Sequence, residues 1–93
     1  MRQLEKEEAY KIIETVNNEL RKYNLYGEMY NDYCGLCVDI TWGDWKHEHW
    51  AVDSVIIETL DRMGYRGKYT ITKQITEEDG SDCYSALHVV RFD

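Results

Sequence analysis

Hydrophobic side chains recur with helical spacing in two segments of the chain. The first stripe follows a period of 3.6 residues and ends near Asn24 or Gly27, and its members are Ala9, Ile12, Ile13, Val16, Leu20 and Tyr23. The second stripe follows Asp44, a predicted N-cap, and stops at Gly64, and its members are Val52, Val55, Ile56, Leu60 and Met63. The pattern therefore predicts two amphipathic helices.

Strict alternation of apolar and polar residues in the segment between the two predicted helices predicts a half-buried strand. Leu36, Val38 and Ile40 alternate with Cys37 and Asp39, which indicates one apolar and one wet face. A weaker strand is expected before it, around Tyr26 to Tyr30. The alternative is a longer first helix, because the tyrosines at 23, 26, 30 and 33 have helical spacing, but Gly27 in the middle counts against it.

The last third of the chain has the pattern of a β-hairpin. Asp79-Gly80 is a two-residue turn signal. A turn there pairs Tyr69 with Val90, Ile71 with His88, and Ile75 with Tyr84. This register places His88 on the apolar face, where we expect a core-edge histidine with one hydrogen bond.

The element order is thus helix, hairpin, helix, hairpin. We expect a single α+β domain over residues 1–93, with two layers: a four-stranded, mainly antiparallel sheet and two helices on one of its faces. Ile-Ile-Glu-Thr occurs at 12–15 and again at 56–59, which is consistent with an internal duplication.

Composition and charge restrict the function. The 93 residues carry 11 Lys and Arg against 18 Asp and Glu, a formal charge of −7, which disfavours direct binding to nucleic acid. No stretch has the length and apolar character of a membrane span. Three cysteines, no glycosylation sequon and no apolar leader at the N-terminus predict a reduced, cytoplasmic protein.

Two short motifs raise the question of a metal. Cys34-Gly-Leu-Cys37 has the spacing of a zinc knuckle, but on a strand through 34–40 the two thiols would point to opposite faces. On a helix, His47 and His49 lie about 200° apart. We therefore expect no metal, no cofactor and no catalytic residue. A small metal-binding domain or metal-dependent enzyme using His47/His49 and Cys34/Cys37 is the alternative hypothesis.

The central segment combines acidic and aromatic residues. From Glu28 to Asp61 there are eight acidic residues and one basic residue, Lys46. The same segment holds all three tryptophans together with Tyr30 and Tyr33. Aromatic anchors supply contact area and carboxylates steer a basic partner. The candidate binding residues are Asp39, Asp44, Trp45, Glu48, Trp50 and Asp53.

The functional prediction is therefore a small acidic, non-catalytic binding protein. Its acidic-aromatic surface would dock onto a basic protein, such as a nucleic-acid-binding protein, in the manner of an inhibitor or a nucleic-acid mimic. A third hypothesis is a homodimer formed through the second face of the sheet, which carries Thr70, Thr72, Leu87 and Val89.

Overall fold

The computed structural model describes residues 4–25, 27–42, 45–77 and 84–93, with only the backbone described at 41–42, 45–50, 77 and 84. The elements follow the order α1 (Lys6–Lys22), β1 (Met29–Asp32), β2 (Gly35–Trp42), α2 (Trp45–Arg62), β3 (Tyr69–Glu77) and β4 (Tyr84–Phe92). The predicted α+β architecture is confirmed. Asp44, proposed as the N-cap of α2, lies outside the described residues.

Helix α1 is terminated by Asn24, a residue type that adopts the left-handed backbone conformation more readily than most. Asn24 has φ +57°, and the Leu25 N–H donates to the Leu20 carbonyl at 2.9 Å, which closes a Schellman motif. The longer-helix alternative is therefore wrong, because the chain turns away at Asn24. Gly64 closes α2 in the same way, with the Tyr65 N–H donating to the Leu60 carbonyl.

The sheet has the order β1-β2-β4-β3, and every pairing is antiparallel. β2 and β4 occupy the centre and are flanked by the hairpin partners β1 and β3. Two α-β-β units in this arrangement are compatible with a duplication. The helices end forty positions apart, at Lys22 and Arg62, whereas the two Ile-Ile-Glu-Thr sequences are 44 positions apart. When the helix ends are aligned, the repeated sequences are therefore displaced by four residues, about one helical turn.

One face of the sheet packs against both helices. Val38, Ile40, Val90 and Phe92 meet the helix stripes in a single buried cluster, as the periodicity predicts. The other face carries Cys37, Asp39 and the residues of the homodimer hypothesis. Among the described helices, none has the length and apolar character needed to cross a bilayer.

The predicted register of the last hairpin is wrong by two residues. Tyr69 pairs with Phe92, Ile71 with Val90, and Ile75 with Ala86. The described pairing reaches Glu77 opposite Tyr84, and Asp79-Gly80, on which the predicted turn was based, lies outside the described residues. Because the shift is even, the described side chains keep their predicted faces, and His88 is on the apolar face as expected, although it is fully buried and not at the edge of the core.

Candidate functional site

A two-residue turn connects β1 to β2 and shapes the site. Asp32 pairs with Gly35, so Tyr33 and Cys34 form the turn, and the Tyr33 N–H donates to Asp32 Oδ1 at 2.7 Å. Gly35 has φ +137°, and a Cβ there would lie 2.5 Å from the Val90 carbonyl oxygen. Only glycine therefore allows β2 to begin this close to β4.

The turn brings the two cysteines of the CxxC motif together. Cys34 Sγ lies 3.8 Å from Cys37 Sγ, and one carboxylate oxygen of Asp32 lies within 4.8 Å of both sulfur atoms. The expectation that the thiols point to opposite faces is wrong. β2 begins at Gly35, so Cys34 is a turn residue and the alternation of strand side chains does not apply to it.

The thiol pair lies in a mixed electrostatic environment. The pKa of the Cys37 thiol is raised to about 12, first by burial, then by its hydrogen bond to Cys34 and by the electrostatic influence of Cys34 and Asp32. The guanidinium of Arg91 acts in the opposite direction, and its Nε donates to the Cys34 carbonyl at 3.1 Å. Cys37 is therefore a protonated, weakly nucleophilic thiol unless a cation replaces its proton.

Two tyrosines and two carboxylates surround this turn. Tyr33 at the tip is 97% exposed, and Tyr30, opposite Cys37 on the helix-free face, is 43% exposed. Asp32 and Asp39 are also exposed, and Asp39 is on the same face as Tyr30. Partial burial, followed by the electrostatic influence of Cys37, Asp39 and Asp32, raises the pKa of Tyr30. We call Tyr30, Asp32, Tyr33 and Asp39 the acidic hairpin patch.

Asp53 has a different environment from the one expected. Its side chain is 14% exposed, with Oδ2 2.7 Å from Lys73 Nζ and Oδ1 2.8 Å from Nδ1 of His88. Since a carboxylate only accepts hydrogen bonds, the Nδ1–H of His88 donates to it. Asp53 therefore ties α2 to β3 and β4, and this placement does not favour its predicted role in docking.

The remaining candidate residues are only partly described. Asp44 lies outside the described residues, and Trp45, Glu48 and Trp50 lie in the first turns of α2 without described side chains. Their docking roles stay predictions. Of the predicted set, Asp39 lies in the acidic hairpin patch, on the opposite side of the sheet from α2.

Of the four residues of the alternative metal site, Cys34 and Cys37 have described side chains, whereas only the backbone of His47 and His49 is described. His47 and His49 belong to α2, which packs on the core face of the sheet, whereas Cys37 is on the opposite face. Asp32, which the sequence did not single out as a ligand, joins the two cysteines instead. Its position two residues before Cys34 is the only sequence signal that could have indicated it.

A groove of about 530 Å³ borders the patch between α1 and β1. It is lined by Lys6, Ala9, Tyr10, Ile13, Met29, Tyr30 and Asn31. Asn17 of α1 fixes this edge of the sheet, because its side chain accepts from the Met29 N–H at 2.6 Å and donates to the Met29 carbonyl at 3.2 Å. No pattern in the sequence indicated this contact.

No protein-family model matches the chain, and comparisons with curated proteins and with solved structures also gave no match. The function is therefore inferred from the chemistry of the described residues.

Proposed function

We propose that the protein is a small acidic, non-catalytic binding protein that docks its acidic hairpin patch onto a basic protein partner. The observation that carries this proposal is the exposure of Tyr33, 97% at the tip of a short turn, with Tyr30 beside it. Phenol rings contribute contact area and a hydrogen-bonding hydroxyl, and aromatic residues are enriched at interfaces.

The turn makes these tyrosines suitable as anchors. The Asp32–Tyr33 hydrogen bond, the backbone at Gly35 and the Arg91 contact with Cys34 all restrain the loop before any partner arrives. A restrained loop loses less conformational entropy on binding than a mobile one. Tyr33 can therefore enter a pocket of a partner at low entropic cost.

Charge indicates the chemistry of the partner. The chain carries −7, and the patch places Asp32 and Asp39 next to its tyrosines. Lys and Arg side chains that recognise phosphates also pair with carboxylates, so a nucleic-acid-binding protein is the partner class we propose. A second copy of this chain fits less well, because two such surfaces repel each other.

The setting of this activity is also a proposal. Cys34 and Cys37 are close but free, with sulfur atoms 3.8 Å apart, which is compatible with a reducing compartment such as the cytoplasm. The alternative function, a metal-binding domain using both histidines and both cysteines, has less support because the helix that carries His47 and His49 packs on the core face of the sheet, while Cys37 belongs to the other face.

Capture of partners from native cell extract with matched variants tests the docking proposal. The baits are wild type, Tyr33→Ala, Asp39→Asn, and the controls Tyr10→Ala and Glu58→Gln, which change exposed residues outside the patch. We expect a basic protein retained by wild type and both controls and lost or weakened with Tyr33→Ala and Asp39→Asn. Its affinity, measured with purified proteins, should fall as salt rises.

The dependence of affinity on salt concentration distinguishes the contribution of the carboxylate charges to binding from that of the aromatic contact area. Asp39→Asn should give a shallower decline of affinity with salt than wild type, whereas Tyr33→Ala should weaken binding at every salt concentration. A partner that binds all variants equally would contradict the proposal. So would a purified partner whose affinity does not change with salt.

A further inference from the structure

We propose that the β1–β2 turn is a binding site for a zinc-class divalent cation, with Cys34 Sγ, Cys37 Sγ and an Asp32 carboxylate oxygen as its ligands. This site differs from the alternative considered above, since neither His47 nor His49 takes part. It shares Asp32 with the acidic hairpin patch, but its two sulfur ligands are not part of the patch and the patch tyrosines are not ligands.

The spacing of the donors fits a tetrahedral ion. Two thiolates at about 2.3 Å from zinc, with a tetrahedral angle between them, stand about 3.8 Å apart. Cys34 Sγ and Cys37 Sγ are separated by 3.8 Å, and the Asp32 carboxylate lies within 4.8 Å of both. The carboxylate therefore needs only a small movement to complete a three-ligand set.

The surrounding backbone holds the donors at this spacing. Gly35 allows the close approach to β4, and Arg91 fixes the carbonyl of Cys34. Asp32 accepts the Tyr33 N–H through Oδ1, and a carboxylate has further lone pairs available to a cation. Most of the ordering cost of the site is therefore met by folding.

The charge of the ligands and the softness of the two sulfur atoms determine which cation the site prefers. Two thiolates favour zinc over magnesium or calcium, which prefer oxygen ligands. Binding releases the thiol protons of Cys34 and Cys37 to solvent, and the resulting ligand charge of three negatives faces a dication and the Arg91 guanidinium. Three protein ligands leave the fourth tetrahedral position to water or to a donor from a partner.

Cobalt(II) titration of the reduced full-length protein tests the site. Cobalt replaces zinc in thiolate sites and reports on them through a thiolate-to-metal charge-transfer band and intense visible bands of four-coordinate geometry. We expect saturation at one equivalent, reversal by added zinc, and loss of the charge-transfer intensity and at least about 100-fold weaker binding in Cys34→Ser. Asp32→Asn should weaken binding by about tenfold.

Matched variants distinguish this site from other ligand sets. Cys83→Ser, which removes the third cysteine, and the double variant His47→Ala/His49→Ala should leave the cobalt spectrum and affinity unchanged. Cys34→Ser replaces a turn residue and carries the test even if Cys37→Ser, at a buried position, does not fold. Circular dichroism of each variant confirms that it is folded.

Three results would overturn the inference. They are the absence of a charge-transfer band in reduced wild type, a band that persists unchanged in Cys34→Ser, and a band lost in the histidine double variant. Tyr33→Ala and Asp39→Asn, which test docking, should retain the full cobalt spectrum, so failure of one proposal is distinguishable from failure of the other.

Discussion

Asp53 makes the main described polar contacts between α2 and the sheet. Its two carboxylate oxygens bind Lys73 Nζ at 2.7 Å and His88 Nδ1 at 2.8 Å, and the His88 side chain is 0% exposed. A histidine enclosed in this way is inaccessible to a substrate. We therefore assign the contacts of Asp53 with Lys73 and His88 a role in stability.

Removing the Asp53 carboxylate should be costly for folding. Asp53→Ala leaves His88 in the core without its carboxylate acceptor, so we expect the free energy of unfolding to fall by about 2–3 kcal/mol. Asp53→Asn keeps an acceptor for His88 and loses the ion pair with Lys73, so a smaller loss is expected. Chemical denaturation followed by circular dichroism measures both.

Glu58→Ala is the matched control, because Glu58 is an exposed acid on the same helix. It should change stability by less than about 0.5 kcal/mol. Equal losses for Asp53→Ala and Glu58→Ala would show that the contacts of Asp53 contribute nothing beyond a surface charge.

His88 should make stability depend on pH. Burial lowers its pKa below the ordinary 6.5, more than Asp53 and Asp39 raise it, while Lys73 lowers it further. The unfolded chain then binds a proton more readily than the folded one, so this contribution destabilises the fold as pH falls below 6.5. Above that pH the effect vanishes.

Comparison of pH profiles checks this prediction. The free energy of unfolding of wild type should decrease between about pH 7.5 and 5.5, and His88→Gln should show a shallower decrease over that range. His47→Gln serves as the control and should keep the wild-type slope. Identical slopes for wild type and His88→Gln would contradict the assignment.

At the scale of elements, the β1–β2 turn depends on one glycine. A Cβ at Gly35 meets the backbone of Val90, whereas a Cβ at Gly67, which also has positive φ, meets nothing within 4 Å. We expect Gly35→Ala to cost more than about 2 kcal/mol and Gly67→Ala about 1 kcal/mol. Denaturation midpoints of the two variants measure the difference, and equal losses would contradict the close approach of β2 to β4.

The elements also show how far the sequence could be interpreted. Helical periodicity and strand alternation predicted both helix stripes and the core faces of β2, β3 and β4, because burial repeats at fixed intervals. The predicted register of the last hairpin was wrong by two residues, because alternation fixes which face a side chain occupies but not which residues of two strands pair.

The candidate site was harder to predict, because it depends on the boundary between turn and strand and on contacts between residues distant in the chain. The alternation rule excluded the Cys34–Cys37 pair, because the boundary between turn and strand was placed one residue too early, before Gly35. The contacts of Asp53 with Lys73 and His88 join residues far apart in the chain. No local pattern contains such pairs, whereas Tyr33 and Asp39 were part of a visible acidic-aromatic segment.

At the scale of the whole molecule, the two faces of the sheet have different roles. One face and both helices form the core, and the other face has no covering element among the described residues. The acidic hairpin patch lies at one end of this open face, next to the sheet edge. A partner that reaches the patch can therefore approach without displacing any helix.

Hydrogen–deuterium exchange of the protein with its captured, purified basic partner tests the central claim most directly. We predict slower exchange on binding in the segment 28–39, which contains the acidic hairpin patch, and unchanged exchange in the exposed positions of α1 around Tyr10. Protection confined to α1 or α2, with residues 28–39 unaffected, would contradict the account.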